Sequence, residues 1–178
     1  MVRLKWIGLG IVTFLAVLLV PRTGIAATTG SSESVFANNA PVVMDLGAGI
    51  LVGGGDALPG LDVRIKARLN TATPLYLGAE AGTFIFSGPG SAGAIIPLLG
   101  TFSTQFDLTN RIHPVAGISA GPALATGGGY SSARFAVLLD PGFIVDLQRN
   151  MALTALVRFG AIGSTFVVLP QVGLLFAI

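Results

Sequence analysis

Residues 61–69 alternate without a fault. Leu61, Val63, Ile65, Ala67 and Leu69 are apolar, and Asp62, Arg64, Lys66 and Arg68 stand between them. An extended chain points successive side chains to opposite faces, so as a strand this segment has one wholly apolar face and one wholly charged face. Wound as a helix, it would scatter four charges around its circumference. Any fold for this chain must therefore offer a strand two environments of opposite polarity.

The same period of two runs through seven further segments, at 42–52, 75–86, 95–108, 112–124, 134–147, 151–160 and 165–178. Their polar faces carry Asp45, Glu80, Asp107, Arg134, Asp140, Asp146 and Arg158; in 95–108, Thr101, Ser103 and Gln105 share the face of Asp107. The apolar faces carry residues such as Leu98, Phe102, Phe106, Phe135, Val137, Leu139, Val172 and Leu174. No charge falls on an apolar face. Glu33, Asp56, Arg111 and Arg149 fall in the tail, a loop or turns.

Composition decides which face is outside. Charged residues make up 10% and hydrophobic residues 52%, against roughly 25% charged in an average soluble domain. A soluble sandwich with the charged faces outward would be short of charge. The polar faces are also rich in glycine (Gly47, Gly49, Gly78, Gly82, Gly117, Gly121, Gly160 and Gly173), which suits a crowded interior where long side chains need room. Hence the apolar faces should point out to lipid and the charges inward. Tilted strands of 9–11 residues cross the apolar band of an outer membrane, and closing the sheet pairs every backbone group.

The expected fold is all-β: an antiparallel up-and-down transmembrane barrel, of eight strands, after a cleaved signal peptide. Residues 1–27 have the three parts of a secretory signal: Arg3 and Lys5, an apolar run over 6–20, then a breaker and small residues ending at Ala26 and Ala27. Residues 28–41 read as a flexible periplasmic tail and 42–178 as the barrel, exported to the bacterial outer membrane. Links at 70–74, 109–111 and 148–150 would be periplasmic turns. Those at 53–60, 87–94, 125–133 and 161–164 would face outward. Asp140-Pro141-Gly142 leaves a second option open, a turn that would split the sixth strand.

The sequence pI near 9.5 carries no message about nucleic acid. Arg3, Lys5 and Arg22 lie in the leader, so the ten basic residues fall to seven against eight acidic.

The stretches LDVRIKARLN and PLYLGAEAG, with the final strand ending Val172-Gly-Leu-Leu-Phe176-Ala-Ile178, resemble the small eight-stranded outer-membrane barrels, the group of the OmpA-type transmembrane domain, OmpX and OmpW. The resemblance covers 42–178. It implies lipid as the surrounding partner, and a C-terminal strand read by the barrel-insertion machinery. The chain after the leader has no Trp, so aromatic girdles would fall to Phe84, Phe86, Phe102, Phe143 and Phe159.

The candidate site is an interior charge network of Asp45, Asp62, Arg64, Lys66, Arg68, Glu80, Asp107, Arg134, Asp140, Asp146 and Arg158. It would be charge-paired and mostly filled, with a structural or interaction role; a narrow path for small or apolar solutes is the alternative. A lipid-modifying enzyme is the weaker reading, since His113 and Ser119 share a strand face but stand about 20 Å apart at 3.3 Å per residue. Gly88-Pro-Gly90-Ser-Ala-Gly93 matches a dinucleotide fingerprint in letters but opens no helix. Gly53-Gly54-Gly55-Asp56 lacks the acidic partners of a calcium loop. No catalytic residue, cofactor or metal is expected, and a monomer is favoured.

Overall fold

The computed structural model describes residues 40–69, 74–88, 91–106, 108–109, 111–148 and 150–178. The expected leader and tail, up to residue 39, together with Asp107 and Arg149, lie outside the described residues. Regular structure among the described residues is all β: β1 Val42–Gly53, β2 Asp56–Arg68, β3 Leu75–Gly88, β4 Ser91–Gln105, β5 Ile112–Gly127, β6 Tyr130–Leu139, β7 Gly142–Gln148, β8 Met151–Ile162 and β9 Thr165–Ala177. Neighbours are antiparallel, and the sheet closes because β9 returns to pair with β1.

Nine strands make an eight-stranded barrel. β6 and β7 both pair with β5 on one side and β8 on the other. The β5 register is the same for both, Ile118 facing Leu139 and Val115 facing Gly142. No residue is inserted between them. Asp140 N–H still donates to Gly117 at 2.9 Å, and the Pro141 carbonyl accepts from Val157 at 3.0 Å. Asp140-Pro141-Gly142 is thus no turn: Pro141 deletes one donor from a continuous strand.

The register also gives the stagger of the barrel. From Val43 the pairs run to Lys66, Gly78, Thr101, Ser119, Leu138, Gly160 and Val167, and then back onto β1 at Gly53, ten residues from the start. Eight strands with a shear of ten tilt by roughly 40° and close at a radius of about 8 Å. A barrel this narrow has room for side chains and little else.

The outward face is apolar along all strands. Leu61, Val63 and Ile65 on β2 and Phe102 on β4 are exposed, as are Phe135 on β6 and Val172 on β9. Inward, the strands are longer than the alternating segments suggested. β1 and β2 run to a two-residue turn at Gly54-Gly55, with φ of 62° and 98°, and β5 and β6 to Gly128-Gly129, with φ of 57° and 81°. Both turns need left-handed backbone at two successive positions, which glycine adopts without strain. The expected outward links therefore shrink to hairpin tips. Of the dinucleotide-like stretch, Gly88 ends β3 and pairs with Ser91, and residues 91–93 open β4.

The aromatic girdle differs from expectation at Phe84 and Phe86. Phe84 is 2% exposed and faces inward, in phase with Tyr76 and Glu80, and Phe86 packs partly buried against the same interior cluster. Exposed Phe102, Phe135 and Phe166 supply outward aromatics instead.

The outward placement of mid-strand Val63 yields a test. Val63→Arg should destabilise the barrel by about 2–4 kcal/mol in phospholipid vesicles, the cost of a cation on a lipid face near the midplane. Urea unfolding would measure it, and a loss below about 0.5 kcal/mol would contradict this face assignment.

Candidate functional site

The interior is layered. Toward the hairpin tips the strands point Leu51, Leu58, Phe84, Leu99, Leu138 and Leu169 inward, all nine-tenths buried or more. Toward the Val42 and Ala177 end they point Val43, Tyr76, Val115, Ile144, Ala152 and Leu175. Between these apolar layers lies a belt of buried charge: Asp45, Asp62, Arg64, Lys66, Glu80, Asp140 and Arg158. Sequence alternation marked the belt but not the layers. Where both faces are apolar, as at Leu138-Leu139 or Val168-Leu169, period-two polarity has nothing to read.

Arg158 is the centre of the belt and wholly buried. It leaves β8 and meets Glu80 on β3, four strands away in either direction around the ring. Nη1 donates to Glu80 Oε1 at 2.6 Å and Nη2 to Oε2 at 2.8 Å. This bidentate fork matches a planar guanidinium to a carboxylate. Nε donates to Asp140 Oδ1 at 2.8 Å, and Nη1 also reaches Asp62 Oδ2 at 3.3 Å. One side chain thus ties β8 to β2, to β3 and to the junction of β6 and β7.

Arg64 is the second cation, with Nη2 3.2 Å from Asp45 Oδ2 and Nε 3.8 Å from Asp62 Oδ2 and 3.9 Å from Glu80 Oε2. Neutral groups complete the carboxylates. Thr154 Oγ1 donates to Asp45 Oδ1 at 3.1 Å, Gln171 Nε2 donates to Asp62 Oδ1, and Ser119 Oγ donates to Asp140 Oδ2. The glycines make room for them. A methyl at Gly47 would overlap the Gln171 amide and the Asp62 carboxylate, and one at Gly173 would lie 2.6 Å from Asp45 Oδ1 and 2.7 Å from Thr154 Oγ1.

The remaining expected members lie elsewhere. Arg134 is exposed, so the assignment of Arg134 to the interior is corrected. It keeps the inward phase of β6, but the last β6–β8 pair is Ala136 with Ile162. Beyond that pair β8 has turned away while β5 still pairs with β6, Ala123 facing Arg134, so Arg134 is open on its β8 side beside the Gly163 turn. Arg68 is half-buried at the opposite end. Asp146 lies against His113, its Oδ2 3.2 Å from His113 Nε2.

Sequence comparison is silent here: no family model and no curated protein matches the chain. Structural comparison gives the fold. Neisserial surface protein A (NspA) superposes with a TM-score of 0.55 at 17% identity, over 77% of this chain and 96% of that one. The attachment invasion locus protein Ail of Yersinia pestis gives 0.52 at 12% identity, over 76% and 95%. The N-terminal barrel of Pseudomonas aeruginosa OprF gives 0.50 at 11%, over 78% and 98%. The chain therefore has the fold of the small eight-stranded outer-membrane barrels.

Removing the central strut should be costly. Arg158→Met leaves Glu80, Asp62 and Asp140 buried without their common cation, and one-sided loss of a buried pair typically costs about 3–5 kcal/mol. Urea unfolding in vesicles should report a loss of that size. A double-mutant cycle with Glu80→Gln should show strong coupling, and additive effects would refute the strut.

Proposed function

We propose that this chain is a closed outer-membrane barrel that conducts nothing and catalyses nothing, with a structural or interaction role carried by its wall and rim. The observation that carries this reading is the layering of the lumen. Apolar side chains fill both ends, and a cross-linked charge belt fills the middle. A solute passing along the axis would have to displace Leu58, Phe84 and Leu99 at one end and Tyr76 and Ile144 at the other. It would also have to break the Arg158 fork and leave buried charges uncompensated.

The candidate nucleophile and base have separate engagements. His113 faces Asp146, and Ser119 donates to Asp140, which in turn holds Arg158. Both residues are fully buried, away from any lipid substrate outside the wall. At the rim, hairpins that turn in two residues at Gly54-Gly55 and Gly128-Gly129 offer little surface for a bulky ligand. Interactions would then fall to the apolar wall and to exposed tip residues such as Asp56 and Arg134.

Planar-bilayer recording tests the reading. The purified, folded chain should give no steady conductance above the bare bilayer. A stable, reproducible single-channel step would overturn it in favour of a narrow channel.

A further inference from the structure

The two sides of β6 are not covered equally. β5 pairs with β6 along its whole length, from Ile118 with Leu139 to Gly127 with Tyr130. β8 pairs with it only as far as Ala136 with Ile162, and then turns into β9 at Gly163. From Tyr130 to Arg134, β6 therefore has a paired neighbour on its β5 side alone. The direction of the uncovered backbone groups follows from one bond. Gly163 N–H donates to the Phe135 carbonyl at 2.8 Å, so Phe135 turns its backbone polar groups toward β8. Alternate residues of a strand turn theirs the same way. Ala133 and Ser131 thus present N–H and C=O groups on the β8 side, beyond the last residue of β8.

Arg134 stands on that open edge. Its stem crosses the Gly163 turn: a methyl on Gly163 would lie 3.1 Å from Arg134 Cδ and 3.6 Å from its Cγ. The guanidinium is thereby carried to the β8 side, the side of the open N–H groups. Arg134 is exposed and has no hydrogen bond or ion pair with a described residue. Asp56, the described acid nearest a hairpin tip, belongs to the β1–β2 turn and is not paired with it. Two outward rings mark the depth. Phe135 and Phe166 are 65% and 62% exposed, one on each side of the Gly163 turn. Aromatic side chains of transmembrane barrels gather where the apolar band meets the headgroups.

We infer that Arg134 and the open β6 edge at Ser131 and Ala133 hold the phosphate of a lipid from the surrounding leaflet. This gives a partner to the interaction role proposed for the wall and rim, and rests on that reading. A guanidinium matches two phosphate oxygens with a planar fork, and successive backbone N–H groups add donors to an anion site. The gap above the turn opens sideways at headgroup depth. A lipid therefore reaches it from within the bilayer, with its acyl chains against Phe135 and Phe166. A soluble anion would gain the polar contacts without that apolar contact.

Native mass spectrometry of the folded chain in neutral detergent, titrated with dimyristoyl phosphatidic acid, tests the site. One lipid should bind to the unmodified chain, and Arg134→Gln should weaken it about tenfold. Arg134→Lys keeps the charge without the fork and should fall between the two. Ala133→Pro removes an N–H from the open edge and none from the β5 ladder, and should weaken binding about threefold. Arg111→Gln, at an exposed arginine beside the opposite end of β5, should leave it unchanged. Equal binding by the unmodified chain and Arg134→Gln would overturn the proposal. Displacement of the lipid by an equal concentration of inorganic phosphate would overturn it too, in favour of a soluble anion. Binding is read without reference to conductance, so a failure here is distinct from a failure of the closed-lumen reading.

Discussion

The structure depends on one requirement: a backbone surrounded by hydrocarbon must pair all its amides and carbonyls within itself. A sheet meets that requirement only by closing. Here closure is made by β9 pairing with β1, from Val43 with Ala177 to Gly53 with Val167. Once the strand number and the ten-residue stagger are set, the radius follows. The interior is then a fixed volume that the inward side chains must fill, and everything distinctive about this chain lies in how it fills that volume.

It does so in three layers of opposite character. The apolar layers set the charge belt apart from bulk solvent, and the lower dielectric strengthens the pairings within it. The same low dielectric makes each unpaired charge expensive, so the belt must be almost complete to be tolerated. Arg158 meets that demand with four donor contacts to three carboxylates on three parts of the wall. A lysine at the same position would be a point charge without the planar fork that engages both Glu80 oxygens. Neutral Thr154, Gln171 and Ser119 take lone pairs that the cations leave over.

The strands and their outward face were legible in the sequence because contrast was present: residues 61–69 set four charges against five apolar residues in strict alternation. The site was legible for the same reason, in Asp45, Asp62, Arg64, Lys66, Glu80, Asp140 and Arg158. What could not be read was depth along the strand. Leu58, Leu99 and Leu169 share the inward face with the charges but look, residue by residue, like lipid-facing positions. Arg134 is the converse: its phase is inward, yet it stands beyond the last pair with β8, and phase alone carries no information on where a neighbouring strand stops. Nor could sequence show that Arg158 finds its partner across the lumen, since β3 and β8 are neighbours in neither the chain nor the sheet.

The junction of β6 and β7 shows how far closure overrides local preference. Asp-Pro-Gly is a strong turn signal in water, because proline fixes one dihedral and glycine frees another. In this barrel a turn there would leave β5 and β8 with unpaired edges in the membrane, a loss far larger than the local preference. The chain instead runs straight through, giving up the one donor that Pro141 lacks. The bonds on either side of it hold, Asp140 to Gly117 and Val157 to Pro141. The Asp140 carboxylate then secures the weak point from within, through Ser119 on one neighbouring strand and Arg158 on the other. The place where the wall has a missing ladder bond is thus also where the charge belt grips two adjacent strands at once, and the turn-like tripeptide is held as strand by side-chain pairing inside the lumen.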